Sequence, residues 1–139
     1  MPDFLFSIVI PAYNYAHTLR RAVDSVLRQP GLDYELLVIN DGSTDDTERL
    51  LADLVKRYEG RLRAVTRTNS GPAATRNFGV KNTSGQYLIF LDADDAMCDD
   101  ALNLLREVIQ DRPGLGMAVG DHISVASNEE KTLIQSALI

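Results

Sequence analysis

Apolar residues are distributed along this chain in two alternating rhythms. Unbroken short runs occur at Phe4-Leu5-Phe6-Ser7-Ile8-Val9-Ile10, at Glu35-Leu36-Leu37-Val38-Ile39 and at Tyr87-Leu88-Ile89-Phe90-Leu91. Runs of this length, β-branched and aromatic in part and bounded by turn residues, read as buried strands, the third of them covered on both faces. Leu62-Arg63-Ala64-Val65-Thr66 is a shorter strand of the same kind. Pro11 is expected to stop the first strand, because it has no N–H to give a ladder. Between these runs the apolar spacing turns helical. From Thr18 to Gln29, Leu19, Ala22, Val23, Val26 and Leu27 share one face, and Arg20, Arg21, Asp24 and Arg28 form a solvated one. Pro30-Gly31 ends that helix. A second helix is signalled by Asp45 as N-cap, Glu48 as its capping-box partner, and Leu50, Leu51, Leu54 and Val55 as the buried stripe. A third opens at Asn69-Ser70-Gly71-Pro72, with proline in the first turn, and closes at Thr83-Ser84-Gly85. A fourth is capped by Asp99 or Asp100, runs through Leu102, Leu105, Val108 and Ile109, and ends at Arg112-Pro113-Gly114. Leu115 to Val119 is a last strand, and Ser127-Asn128-Glu129-Glu130 a turn.

Strand and helix alternate, which predicts an α/β fold: a mostly parallel sheet flanked by helices and joined by right-handed crossovers. In such sheets the ligand crevice lies outside the carboxyl ends of the strands. Three of those ends are polar, with Ala12-Tyr13-Asn14 after the first, Asn40-Asp41-Gly42 after the second and Asp92-Ala93-Asp94-Asp95 after the third.

The last of these carries the strongest chemical signal. Three carboxylates within four positions at the end of a buried strand repel one another unless a cation or a set of donors neutralises them. Hard oxygen ligands of this kind suit Mg²⁺ or Mn²⁺, which complete their coordination with substrate phosphates. The plainer reading, in which Asp94 or Asp95 starts a turn and caps a helix, uses the same residues. Asp45 and Asp46 are accounted for by capping. Asp41 is not, since it precedes a turn glycine and sits where a strand-end side chain faces the crevice. Arg76, early in the third helix, has a fork of donors that suits a carboxylate or a phosphate equally. His17 has no second ligand at a metal spacing and reads as an exposed loop residue, and Asp121 and His122 read as strand-end residues.

Composition narrows the partners. The 139 residues, with 14 basic against 20 acidic and a net charge of −6, lack the basic footprint of a nucleic-acid binder. Length and 45% hydrophobic content fit a single domain spanning residues 1–139. The single cysteine, Cys98, reads as a small buried or half-buried residue behind the acidic loop, and one cysteine with no secretory leader suggests a cytoplasmic setting. No Gly-x-Gly-x-x-Gly and no phosphate-loop motif follows the first strand, which lowers hydride transfer and ATP hydrolysis.

Four segments in this order resemble the successive motifs of family 2 glycosyltransferases with the GT-A, Rossmann-like fold. They are Ile8 to Asn14, Val38 to Asp45, Asn69-Ser70-Gly71 leading to Arg76-Asn77, and Phe90 to Asp95. The resemblance implies an inverting enzyme that uses a nucleotide diphosphate sugar, commonly a uridine one, a divalent metal (Mn²⁺ or Mg²⁺), and a saccharide or other hydroxyl acceptor. Carried over by residue, Pro11, Ala12 and Tyr13 resemble the loop against which base and ribose rest, and Asp41 the carboxylate that hydrogen-bonds the base. Arg76 resembles a basic residue near the base or diphosphate. Asp92 and Asp94 resemble carboxylates that contact ribose, sugar or metal, and Asp94 or Asp95 the direct metal ligand. Chemically, displacement of a nucleoside diphosphate builds charge on the leaving oxygen, and an inverting reaction also needs a base opposite it.

Asn40 stands where the family usually carries a first aspartate. The family's acceptor region and catalytic base are expected beyond residue 139, since Asp121, Glu129 and Glu130 match no base motif. The reading is therefore the donor-binding part of a longer enzyme, whose parent could sit at a membrane surface. A metal-dependent nucleotidyltransferase is one alternative, although it calls for a basic, glycine-rich loop where Pro11-Ala12-Tyr13-Asn14 stands. A non-catalytic nucleotide-binding or assembly module is another. Apolar surface around Leu115 to Val119 and Leu133 to Ile139 would then favour homo-oligomers.

Overall fold

The computed structural model describes residues 4–114, 116–117, 122–125 and 131–134, the last two stretches by their backbone alone. The chain divides into two compact units, Met1–Ala101 and Leu102–Ile139. In the first, β1 (Phe6–Ala12), α1 (Leu19–Leu27), β2 (Tyr34–Asn40), α2 (Thr47–Arg57), β3 (Arg63–Thr66), α3 (Pro72–Lys81) and β4 (Tyr87–Phe90) follow one another. The four strands form one parallel sheet in the order β3-β2-β1-β4. This is the expected mostly parallel α/β architecture. β1 and β2 are the buried centre, with Ile8, Val9, Ile10, Val38 and Ile39 inaccessible to solvent.

Right-handed crossovers from β1 to β2 and from β2 to β3 put α1 and α2 on one face, where the two helices touch. The return from β3 to β4 reverses direction and lays α3 on the other face, over β1 and β2. There Val9, Leu37 and Ile39 form a core with Val65 and Phe78 packed against it. Gly79 lets α3 approach closely, since a Cβ at that position would stand 2.5 Å from Val9 Cγ1 and 3.3 Å from Ile39 Cδ1.

Two strand expectations need correction. Among the described residues β4 is covered on one face rather than both: its burial alternates, and Leu88 and Phe90 are 39% and 40% exposed. Pro11 does not stop β1 but lies within it, opposite Ile39. Its missing N–H points to the β4 side, where pairing has already ended at Val9 and Phe90, so no ladder bond is lost.

At the amino ends of the strands a buried acid joins the layers. Glu35 accepts from Ser7 Oγ at 2.7 Å, from the Ser84 amide at 2.6 Å, from the Gly85 amide at 3.2 Å and from Arg63 Nη2 at 2.8 Å. Burial pushes its carboxyl pKa up, but these donors and the Arg63 charge outweigh it and hold the value below the ordinary 4.5.

The second unit contains most of α4 (Ala101–Asp111) and an antiparallel pair, β5 (His122–Val125) with β6 (Lys131–Ile134), in which His122 faces Ile134. Of the strand expected at Leu115 to Val119, only Gly116 and Met117 are described, and neither belongs to a regular element. Asp121, the expected turn at Ser127 to Glu130 and the end of the chain lie outside the described residues. Among the described residues no helix is long and apolar enough to cross a membrane.

Candidate functional site

The order β3-β2-β1-β4 reverses between β1 and β4, so the switch-point crevice opens at their carboxyl ends. β1 lies between β2 and β4, and the three polar strand ends are therefore neighbours. A concave pocket of about 290 Å³ lies there, lined among others by Pro11, Ala12, Tyr13, Asp41, Gly71 and Thr75. Four of the residues singled out by sequence thus share one cavity. Tyr13 is 46% exposed, an aromatic ring on the pocket's rim.

Asp41 forms the floor and is only 4% exposed. Its Oδ1 accepts from the Ser70 amide at 2.9 Å and Ser70 Oγ at 3.3 Å, and its Oδ2 accepts from the Gly71 amide at 2.9 Å. These amides belong to the turn that leads into α3, where N–H groups lack helical partners and a negative charge is favoured. Burial raises the Asp41 pKa, but the Ser70 and Gly71 amides and the neighbouring hydroxyls more than compensate, so it lies below the ordinary 3.8. The group is an ionised acceptor. Gly42, with φ +72°, turns the chain away, and a Cβ there would come within 2.7 Å of the Asn69 amide.

Asn14, in the left-handed region at φ 59°, ties the first two strand ends together. Its Oδ1 accepts from the Thr44 amide at 2.7 Å and the Asp45 amide at 3.2 Å, and its own amide donates to Ser43 Oγ at 2.9 Å. Asn40 is buried, accepting from the Ser43 amide at 3.0 Å and donating to Thr66 Oγ1 at 3.3 Å. It holds the turn rather than facing a ligand. The N-cap residue of α2 is Asp46 rather than the expected Asp45. The Asp45 carboxylate accepts from the Thr47 amide at 3.0 Å and the Ala16 amide at 3.1 Å, and its own backbone amide goes to Asn14 and not to a Glu48 capping box.

Beyond β4, the Asp95 amide donates to the Asp92 carbonyl at 3.0 Å and closes the acidic stretch into a turn. Asp92, Asp94 and Asp95 are exposed. Arg76 meets a carboxylate: its Nη2 lies 2.7 Å from Asp92 Oδ1, and its guanidinium stands 6.0 Å from the centre of the Phe90 ring. On the opposite face of the sheet, Arg21 is not a merely solvated residue, since it donates from Nη2 to the Asp94 carbonyl. The Asp24 carboxylate on the same helix accepts from Tyr58 Oη at 2.8 Å. His17 is exposed as expected, stacked on Tyr15. Cys98 is exposed rather than buried, and what the fold uses is its carbonyl, which accepts from Gln29 Nε2 at 2.8 Å.

Among the described residues no three His, Cys, Asp or Glu side chains gather into a metal-binding group. The acidic turn is therefore no closed cage. Hard carboxylate oxygens on an exposed turn beside a crevice fit an ion such as Mg²⁺ or Mn²⁺ that takes one or two protein ligands and fills its other positions with water and phosphate.

Sequence reading missed Ser25, Gln29 and Thr75. Ser25 is a polar residue on the apolar side of α1, and Gln29 continues that spacing just past the end of the helix, a signal present in the sequence pattern. Thr75 is buried and donates to the Gly71 carbonyl at 2.8 Å, bracing the turn under Asp41.

A parallel sheet with this strand order, its crevice between a small pocket and an acidic turn, is an α/β domain of the GT-A type. The profile described as Glycosyl transferase family 2 matches residues 7–136, and the chain belongs to that family. It is 40% identical over 102 residues to an uncharacterized glycosyltransferase of Rickettsia felis, covering 73% of this chain and 17% of that protein. Among solved structures it resembles S. aureus TarS residues 1–349 in complex with UDP-GlcNAc. That match has a TM-score of 0.68 at 26% identity and covers 83% of this chain and 37% of the other. It also resembles GalNAc-T7 solved with UDP, GalNAc and Mn²⁺, with a TM-score of 0.59 at 30% identity, over 65% of this chain and 18% of the other. The chain thus spans well under half the length of these proteins.

Proposed function

We propose that this chain is the donor-binding part of an inverting, metal-dependent glycosyltransferase that takes its sugar from a nucleotide diphosphate sugar, preferably a uridine one, for a saccharide or other hydroxyl acceptor. The observation that carries the reading is the ionised floor of the pocket. A carboxylate offers about four acceptor positions. The Ser70 amide and hydroxyl and the Gly71 amide donate to Asp41, and the Thr75 hydroxyl stands beside it with its proton on the Gly71 carbonyl, so Oδ2 keeps an acceptor position. One ring N–H fills it. Uracil, thymine and guanine carry such an N–H, whereas cytosine presents a lone pair and is repelled.

Pro11, Ala12 and Tyr13 then form the wall against which base and ribose pack. Asp92, its charge partly met by Arg76, is placed for ribose or sugar hydroxyls. Asp94 and Asp95 are the metal ligands, with the diphosphate as the other source of oxygens. When bound, a divalent cation stabilises the charge that develops on the leaving diphosphate. The chain's own contribution is to bind the base, orient the diphosphate toward the acidic turn, and neutralise Asp92 so that carboxylates crowd the site less. The acceptor base lies outside the described residues in this reading. TarS was solved with UDP-GlcNAc and GalNAc-T7 with UDP and Mn²⁺, which supports the donor class and the metal.

Calorimetric titration of UDP with Mn²⁺, with Mg²⁺ and with EDTA tests the proposal. UDP is expected to bind more tightly with metal, Asp94→Ala to remove that increment, Asp41→Ala to weaken binding in every condition, and CDP to bind at least tenfold more weakly. Equal affinities for UDP and CDP would refute the role of Asp41. Binding indifferent to metal would refute that of Asp94.

A further inference from the structure

Three polar residues, two on α1 and one just past its end, reach the backbone of the acidic loop. Arg21 and Ser25 are one turn apart on α1, which sets their side chains one above the other, and Gln29 follows four residues on, in the turn after the helix. Arg21 donates to the Asp94 carbonyl, Ser25 Oγ accepts from the Met97 amide at 2.9 Å, and Gln29 Nε2 donates to the Cys98 carbonyl at 2.8 Å. Ser25 and Gln29 are 1% and 4% exposed. Burying polar side chains on the apolar side of a helix is costly unless each finds a partner. Here two of the three long-range partners belong to the segment just after the carboxylates, and the third is the carbonyl of Asp94 itself.

The ladder is also internally braced. Ser25 Oγ donates to the Ala22 carbonyl at 2.7 Å while it accepts from Met97, and Gln29 Nε2 also donates to the Ser25 carbonyl at 3.1 Å. Only a hydroxyl can fill both roles at position 25. The loop is thus gripped at 94 and 97 from α1 and at 98 from the turn after it, and every grip is on backbone, which leaves the Asp94 and Asp95 side chains pointing wherever that backbone sets them.

We infer that Arg21, Ser25 and Gln29 are positioning residues that fix the acidic loop so that Asp94 and Asp95 meet the metal and diphosphate of the donor. The inference rests on the proposed function, and it adds residues on a different element from any assigned to the donor site. A ladder of this kind acts on the metal-dependent part of donor affinity and leaves the base pocket, built from β1, β2 and the turn before α3, untouched. Arg21 adds a second effect, since its cation stands beside a turn rich in like charges and reduces their repulsion.

The test uses the 139-residue chain with UDP and Mn²⁺ as probes, in Arg21→Gln, Arg21→Lys, Ser25→Ala and Gln29→Ala. Calorimetry measures UDP affinity with Mn²⁺ and with EDTA. Amide hydrogen exchange, read over residues 94–98 and over β1, reports the loop separately from the fold. Expected are a fall of about tenfold in Mn²⁺-dependent affinity for Arg21→Gln and Gln29→Ala, affinity in EDTA within twofold of wild type, faster exchange confined to 94–98, and partial recovery in Arg21→Lys, whose ammonium can still reach a carbonyl. Ser25→Ala is expected to expose the Met97 amide to exchange most of all. Affinities that fall equally with and without Mn²⁺, or exchange that rises in β1 as well, would make these residues ordinary fold contacts and overturn the inference. Mn²⁺-dependent binding that survives in all four variants would overturn it while sparing the proposed function. A wild-type chain with no Mn²⁺-dependent binding would sink the proposed function and the ladder's role with it.

Discussion

Replacing Asp41 by asparagine changes one atom of the pocket floor and isolates what its charge contributes to holding the turn before α3. In the native chain both carboxylate oxygens receive backbone amides, from Ser70 and Gly71 at 2.9 Å each. Asparagine keeps one acceptor and turns an NH₂ toward the other amide, so one charge-assisted bond is lost and a donor faces a donor. Hydrogen bonds to charged groups contribute about 1.5–3 kcal/mol, and a buried donor left without an acceptor costs about 1–3 kcal/mol. The two describe largely the same lost bond, and the neutral side chain is easier to bury, so the expected net loss is about 2–3 kcal/mol. Urea unfolding at pH 7 measures it. The pH dependence gives a second check. Because the folded carboxyl titrates below its ordinary 3.8, its contribution is fully present above that value and fades as pH falls through the lower, folded pKa. The difference between wild type and Asp41→Asn should therefore shrink on acidification from pH 5 toward pH 2. A variant within about 0.5 kcal/mol of wild type at pH 7, or a difference that grows in acid, would refute the account of Asp41 as a carboxylate held by the turn before α3.

Two further outcomes follow from the packing. Glu35→Gln is expected to cost about 1–3 kcal/mol, since the charge that collects Ser7, Ser84, Gly85 and Arg63 is removed from a buried position. Its folded carboxyl also lies below its ordinary value of 4.5, so the loss should be largest above about pH 5 and fade in acid, as urea unfolding across pH would read. Gly79→Ala would gain up to about 1 kcal/mol in helix propensity but sets a methyl 2.5 Å from a fully buried Val9. Overpacking of about 1–3 kcal/mol should win, and a lowered unfolding midpoint with unchanged slope is the expected record.

How much was legible in the chain depended on whether the signal was local. The runs of β1 and β2 read as buried strands because nearly all their residues are apolar, and both lie at the sheet centre. β4 has the same composition, yet its alternate residues Leu88 and Phe90 are exposed, because an apolar run says nothing of whether a second layer covers both faces of the strand. Pro11 was expected to end β1 by the general rule, but whether a missing N–H matters depends on which side has a partner, and that is set by where β4 stops. The acidic turn was legible since its three carboxylates fall within four positions. Its partners were not, because Arg76 and Arg21 reach it from helices on opposite faces. Ser25 and Gln29 did leave a trace, the first as a polar residue on the apolar side of an amphipathic helix and the second as a continuation of that spacing just past its end.

The four acidic residues of the candidate site are set apart by what already meets their charge. Asp41 is buried and held by amides, which makes it a fixed acceptor. Asp92 is paired with Arg76, so its charge is partly neutralised. At Asp94 the fold holds the carbonyl and not the carboxylate, and the side chain stays exposed beside Asp95. A cation seeking oxygen ligands is drawn to a carboxylate that protein donors leave open, as at Asp94. In the proposed reading the order Asp41, Asp92, Asp94 follows base, ribose and metal-bound diphosphate along the donor, with Arg76 meeting the Asp92 charge from one face of the sheet and Arg21 holding the Asp94 backbone from the other.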